Sequence, residues 1–266
     1  QVPARDPELG PMIRSLFIPE ENSEWVCADY SQQEPRVLVH YASLKNMATA
    51  IEAKNQFNND ENTDFHQMVA TMAGIPRKQA KTINLGLFYG MGNKKLAAEL
   101  GLDTDQAYEL FNKYHNKVPF VRELSRQVSH VASKRGYIKT LLGRKRRFDL
   151  WEPKDSWGEK PVSKFEAYER YPKQELKRAM THTGLNALIQ GSSADITKAA
   201  MLKIWQSGLL KEIDIKLTIH DELDFSVPHD KQKCLDEAIQ LMRNAVDLQV
   251  PLKVDVEKGD SWGTAK

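Results

Sequence analysis

Arg77-Lys78-Gln79-Ala80-Lys81-Thr82-Ile83-Asn84-Leu85-Gly86-Leu87-Phe88-Tyr89-Gly90 is the stretch from which the rest of the chain is read. Pro76 can occupy a first helical turn, where its missing N–H would have had no intrahelical partner, and Gly90 and Gly92 suit the exit. The spacing predicts a helix from about 76 to 90. Arg77, Lys81, Leu85 and Tyr89 then recur at i, i+4 along one slowly turning face. That face runs from two cations, past an apolar contact, to an aromatic ring. A nucleoside triphosphate lying along it would set its phosphates against Arg77 and Lys81, where a fork and a point charge both suit phosphate oxygens. Its sugar and base would lie beside Leu85 and Tyr89. The same pattern also describes an amphipathic surface helix whose cations face water.

The 266 residues suffice for one large domain or two closely packed ones with a substantial core. With 38 Lys+Arg against 36 Asp+Glu the formal net charge is +2, so any attraction for nucleic acid must come from local clusters. Cys27 and Cys234 lie far apart without metal-type spacing, which argues against a disulfide framework or zinc site and for a reducing compartment. No apolar run reaches membrane-spanning length, and the prolines and charges of the first residues are unlike a signal peptide. These features predict a soluble intracellular or phage-encoded protein, with no membrane partner.

Two further motifs flank the central stretch: Asp29-Tyr30-Ser31-Gln32-Gln33-Glu34 upstream, at the end of a strand-like segment, and His220-Asp221-Glu222 downstream, between two alternating apolar runs. Together with Arg, three residues, Lys, and the closing Tyr-Gly, the three motifs in this order resemble family A DNA polymerases of phage type over most of the chain. The resemblance implies an α+β fold: an antiparallel palm sheet formed by residues 1–42 and 178–266, with a helical fingers region at 43–177 inserted between them. The family's preceding Thr-Gly-Arg motif, thumb and exonuclease have no counterpart in these residues, so a portion of a larger polymerase is expected, acting as a monomer on primer-template DNA.

Residue by residue, the resemblance implies that Asp29 and Asp221 hold two Mg²⁺ ions, assisted by Tyr30 beside the first aspartate, with Glu222 as an outer or occasional ligand. Gln32, Glu34, His66, Arg77, Lys81, Leu85 and Tyr89 would form the deoxynucleoside triphosphate site. Glu34 matches the glutamate that crowds the sugar's 2′ position, where a wedged carboxylate leaves no room for a hydroxyl. Lys81 would also protonate departing pyrophosphate as a general acid. Asn186 and Gln190, one helical turn apart, would meet the minor-groove side of the primer-template, whose acceptors are present in every base pair. His220 would contact the primer end, and Arg144 and Arg146, within the run Arg144-Lys145-Arg146-Arg147, would track template phosphates. The family often has Arg eight residues before that Gln; here His182 stands there with Arg178 one turn earlier, and either could substitute.

Several segments are read locally. Residues 55–64 are predicted to be a loop, followed by a helix capped by Asp64. Helices are expected through 93–130, starting near Asp103 and interrupted at Pro119, and then a strand pair running into the cations. Residues 149–175 match no compact family pattern and are read as an inserted loop with a short helix. A hairpin carrying Asp221 at its tip, a helix over about 230–247 and a strand over 250–256 close the chain.

The expected reaction is attack of a primer 3′-oxygen on an α-phosphorus, with two ions about 3.5 to 4 Å apart activating the oxygen and steadying the leaving group. Closure of the central helix over a paired nucleotide would couple pairing to rate. Leu85 departs from the family, which has Phe or Tyr there, and a branched aliphatic chain offers no flat ring to sugar and base. Two rival readings are a single-subunit RNA polymerase, opposed by Glu34 and the full His-Asp-Glu, and a non-catalytic DNA-binding fragment, opposed by the intact carboxylates.

Overall fold

The computed structural model describes residues 6–88, 91, 93–155 and 158–265. In chain order its elements run α1 (Leu9–Arg14), β1 (Ser23–Tyr30), α2 (Gln33–Leu44), α3 (Ala48–Asn59), α4 (Phe65–Ala73), α5 (Arg77–Phe88), α6 (Asn93–Leu100), α7 (Thr104–Lys117) and α8 (Pro119–Arg135). They continue as β2 (Tyr137–Lys139), β3 (Lys145–Arg147), β4 (Leu150–Pro153), β5 (Val162–Ser163), α9 (Lys164–Arg170), β6 (Leu176–Arg178), α10 (Gly184–Ser207), β7 (Asp214–Ile219), β8 (Glu222–Pro228), α11 (Gln232–Arg243) and β9 (Val254–Gly259). The chain divides into two compact units, residues 1–36 with 193–266 and residues 37–192, the division falling inside α2 and α10. No helix among the described residues is long and apolar enough to cross a membrane.

The first unit is built on an antiparallel sheet in the order β7-β8-β1-β9. β8 alternates Leu223, Phe225, Val227 with Glu222, Asp224, Ser226, and all six are buried. The polar set shares a face with Trp25 and Cys27, because Trp25 pairs with Ser226 and Cys27 with Asp224. On that face Trp25 and Cys27 cluster with Trp262 and Ala265. The C-terminal turn lies so close that a Cβ on Gly259 would stand 2.6 Å from the Ala265 amide nitrogen. Trp262 also donates its backbone N–H to the Phe17 carbonyl at 2.9 Å, and the two rings stand perpendicular. The final strand is thus Val254–Gly259, later than the 250–256 read from alternation, because Pro251 and Leu252 turn the chain into the sheet instead of pairing in it.

The second unit is mainly helical. Asp103 caps α7 in a capping box with Gln106, and Pro119 opens α8 at its first turn. The predicted loop at 55–64 is corrected: α3 continues to Asn59. Ala50, Ala53 and Phe57 are fully buried at helical spacing. Burying a Phe is worth about 1.5–3 kcal/mol, which offsets the few tenths to ~0.7 kcal/mol that each Asn costs in a helix. Residues 149–175 are likewise more ordered than an inserted loop. β4 pairs with both β5 and β6, α9 follows β5, and Trp151 lies under the cations of Lys164 and Arg178 at 5.4 and 4.7 Å. The Arg144–Arg147 cations sit at a strand rather than on a loop, since Lys145–Arg147 form β3 opposite β2.

Candidate active site

In the first unit, β1 and β8 deliver the carboxylates. Asp29 pairs across the sheet with Glu222 on one side and Asp255 on the other. Cross-strand partners share a face, so three acidic residues lie in one row. The Tyr30 N–H donates to the Asp221 carbonyl at 3.1 Å, which fixes the turn at His220 and Asp221 against the end of β1. His220 adopts a left-handed conformation, φ 57°, and its side chain is exposed at the turn. Asp29 and Asp221 are half-buried, whereas Glu222 is buried.

The strand end is held from behind. The Tyr30 hydroxyl donates to Met242 at 2.7 Å, and burial pushes that phenol well above its usual pKa. Arg36, fully buried, donates to the Ser31 and Pro251 carbonyls at 2.8 and 2.7 Å, and the Ser31 N–H donates to Lys253 at 2.9 Å. Gln32, in the left-handed region at φ 53°, and Glu34 follow on the half-buried entry to α2. Like charges directly opposite on neighbouring strands repel, so a bound cation would relieve Asp29 and Glu222. The donors there are all oxygen, which fits a hard divalent ion such as Mg²⁺. Lys253 already neutralises Asp255, at 2.6 Å.

Sequence reasoning passed over Asp224, and it read Cys27 only against Cys234, as lacking metal-type spacing. Among the described residues, Cys27, Glu222 and Asp224 bring potential ligand atoms within 4.8 Å of one another, all buried. The signal was present in the polar alternation of Glu222, Asp224 and Ser226, which reads as a solvated face but is covered by Trp262. Cys27 contributes a softer sulfur donor than the oxygen set at Asp29.

In the second unit, α5 turns Arg77 and Lys81 outward with Leu85 half-buried beside them, while Ala80, Ile83, Asn84 and Phe88 face the core. Tyr89 lies outside the described residues. Asp64 caps α4, accepting from the His66 and Gln67 amides, and its other oxygen accepts from Arg77 Nε and Nη2 at 2.8 and 2.6 Å. Burial raises the Asp64 pKa, but the Gln67 amide and Arg77 outweigh it and hold the carboxyl below its usual range. His66 is buried next to the same cations, and desolvation first, then Lys81 and Arg77, bring its pKa down to about 4 against the pull of Asp64. Its Nδ1 lies 3.1 Å from the Asn84 amide nitrogen, and Asn84 Oδ1 accepts from the Tyr114 hydroxyl at 2.5 Å.

A separate groove in this unit, about 490 Å³, is lined by Arg144, Lys145, Arg146, Met180, Asn186 and Gln190 among others. It thus brings together four of the residues singled out from the sequence, Arg144, Arg146, Asn186 and Gln190. Arg144 donates to the Gly191 carbonyl at 2.6 Å, and Arg146 lies 5.4 Å from the Phe148 ring centre. Gly191 makes room for Thr140 beside it, since a Cβ there would stand 2.5 Å from Thr140 Cγ2. Of the two substitutes considered for the family arginine, Arg178 is occupied in the β5-β4-β6 sheet, donating to the Phe148 carbonyl at 2.9 Å and stacking on Trp151. His182 is exposed at the turn before α10.

Comparison with known proteins follows the same lines. A DNA-directed DNA polymerase of Pseudomonas phage M6 is 41% identical over 304 aligned positions, covering 99% of this chain and 41% of the phage protein. The thermostable DNA polymerase I of Thermus aquaticus is 32% identical, covering 100% of this chain and 30% of its own length. The chain therefore spans well under half of these relatives. The POL domain of Pol1 from M. smegmatis, solved in complex with DNA primer-template and dNTP, superposes with a TM-score of 0.79 at 33% identity, covering 100% of this chain and 44% of that one. The model for DNA polymerase family A matches residues 1–264, which takes in the antiparallel sheet, the cationic helix and the downstream hairpin: the chain belongs to that family.

Proposed function

We propose that this chain carries the nucleotide-adding portion of a template-directed DNA polymerase, extending a primer 3′-OH with deoxynucleoside triphosphates in the cytoplasm of a bacterial or phage-infected cell. The observation that carries this reading is the pairing of Asp29 with Glu222 beside Asp221, three carboxylates from two distant motifs at the adjoining ends of the interior strands β1 and β8. Residues 1–42 and 178–266 act as palm and 43–177 as fingers.

When bound, two Mg²⁺ ions lower the charge cost of the attacking oxygen and of the leaving pyrophosphate. Asp29 and Asp221 hold them, with the Tyr30 backbone as a further oxygen donor and Glu222 as the outer carboxylate. Arg77 and Lys81 neutralise the triphosphate, and Lys81 gives a proton to the departing pyrophosphate. His66 hydrogen-bonds a phosphate oxygen. Gln32, Leu85 and Tyr89 orient sugar and base, and Glu34 fills the space a 2′-hydroxyl would need. Asn186 and Gln190 read pairing geometry in the minor groove, while Arg144 and Arg146 hold template phosphates and His220 the primer end.

Primer extension with Mg²⁺ at low salt tests the proposal, using the parent chain beside Asp29→Asn and Asp221→Asn, each checked for a native circular-dichroism spectrum. Extension by the parent and its loss by at least about a thousandfold in both variants is the expected result, since removing a metal ligand forfeits several kcal/mol of transition-state stabilisation. An inactive parent, or a variant that still extends, overturns the assignment of catalysis to this span.

A further inference from the structure

We propose that Tyr114, acting through Asn84, sets the proton position on His66, so that His66 meets a triphosphate as a neutral Nε2–H donor. The ligand half of this proposal rests on the nucleotide reading above; the relay does not. Three helices supply the chain of groups: His66 from α4, Asn84 from the core side of α5, and Tyr114 from α7.

An amide nitrogen can only donate. With Asn84 Nδ2 at 3.1 Å, His66 Nδ1 must offer its lone pair, and the ring proton therefore resides on Nε2. The opposite arrangement needs the Asn84 amide turned over, with its oxygen accepting from Nδ1–H and its nitrogen facing Tyr114. A hydroxyl can accept such a bond, but its own proton then needs another acceptor. Tyr114 is fully buried, and its hydroxyl proton is directed at Asn84 Oδ1 at 2.5 Å. Turning the amide would strand that buried donor, a cost of about 1–3 kcal/mol, or roughly five- to a hundredfold in tautomer ratio. Tyr114 thus decides the orientation of Asn84, and Asn84 decides the tautomer of His66.

The surroundings keep these protons in place at neutral pH. Arg77 and Lys81 on α5 and burial disfavour the imidazolium, while Asp64 at the start of α4 favours it and is outweighed. Burial also keeps the Tyr114 phenol protonated. A third cation beside Arg77 and Lys81 would be repelled, whereas a neutral N–H adds a hydrogen bond to a phosphate oxygen without adding charge. Asn84 and Tyr114 are positioning residues, since neither is expected to touch the nucleotide.

Long-range ¹H–¹⁵N correlation of histidine-labelled protein reads the tautomer directly, the His66 signals being identified by their absence in His66→Gln. In the parent, Nδ1 is expected bare and Nε2 protonated between about pH 6 and 8. Tyr114→Phe should mix the tautomers and raise the KM for nucleotide about three- to tenfold, by more than it lowers kcat, as loss of one hydrogen bond's positioning allows. Asn84→Asp, whose carboxylate can only accept, should draw the proton to Nδ1. A parent with Nδ1 protonated, or a Tyr114→Phe spectrum identical to the parent's, overturns the relay. Addition of dATP should shift the Nε2 resonance. A correct tautomer with no such shift overturns the nucleotide contact and leaves the relay standing, while loss of extension in the primer assay alone would touch neither spectroscopic result.

Discussion

Asp64 binds Arg77 with one carboxylate oxygen while capping helix α4 with the other. A single side chain thereby ties the start of α4 to the first turn of α5, where the cationic face begins. The two roles can be separated. An N-cap Asp replaced by Ala loses about 0.5–2 kcal/mol, whereas Asn is as good a cap as Asp. The Arg77 pair is about half exposed, so its own worth is about 0.2–1 kcal/mol. Asp64→Ala should therefore cost about 1–2 kcal/mol in urea unfolding and Asp64→Asn less than about 1 kcal/mol. Equal losses in the two variants would mean that the ion pair, not the cap, dominates.

Leu85 sits half-buried on the outward side of α5, one turn beyond Lys81. Its branched chain offers about the volume but not the flat face of an aromatic ring. Leu85→Phe should change the single-nucleotide incorporation rate and the discrimination against sugar analogues by several-fold, aromatic contacts being worth about 0.5–1.5 kcal/mol beyond area. Pre-steady-state kinetics that coincide for the two proteins would refute a role for Leu85 in nucleotide positioning.

How far the sequence could be read depended on whether a segment's structure was local. The helix from Arg77, the Asp64 cap and the turn at Asp221 are set by neighbours within a few residues, and periodicity and capping chemistry reported them. The continuation of α3 to Asn59 was hidden because nine polar residues among the ten of 55–64 look like a loop, and only the long-range burial of Phe57 overrides them. The sheet formed by residues 149–178 was hidden for a similar reason: β4 gains partners only when β5 and β6 return to it, and no single strand there exceeds four residues. Asp224 went unremarked because alternation marks two faces without saying which is covered. The Asn84–Tyr114 link joins different helices, and nothing in the spacing of either announces the other.

One buried and one half-buried histidine should make stability fall in mild acid. His66 and His115 are each held down to about 4, His66 by burial with Lys81 and Arg77, and His115 by burial with Arg122 and Arg126. The unfolded chain takes up their protons near 6.5 and the folded one does not until near 4. Between those values the unfolded state binds more protons, so stability is full above about 6.5 and declines as pH falls toward 4. His115→Gln should flatten part of that decline. Urea midpoints measured across this range check it, and an unchanged pH slope in the variant would remove His115 from the account.

Arg146 tests the assignment of the basic hairpin most directly, because it lines the groove with Asn186 and Gln190 yet has no part in the metal or triphosphate chemistry. Its guanidinium lies over the Phe148 ring, which leaves the N–H edges available to phosphate oxygens. Each phosphate neutralised releases counterions, so the logarithm of affinity falls with the logarithm of salt by about 0.9 per contact on duplex DNA. Removing one such contact should lower the salt slope by close to that amount and weaken binding evenly across template sequences, since phosphates carry no sequence information. Arg146→Ala is therefore expected to bind primer-template less tightly at low salt and nearly as the parent does at high salt, in fluorescence anisotropy across a salt series. Lost packing on Phe148 would instead shift all affinities by a constant factor, leaving the slope intact. A parallel displacement of the two salt lines would thus count against a phosphate contact, and converging lines would support it.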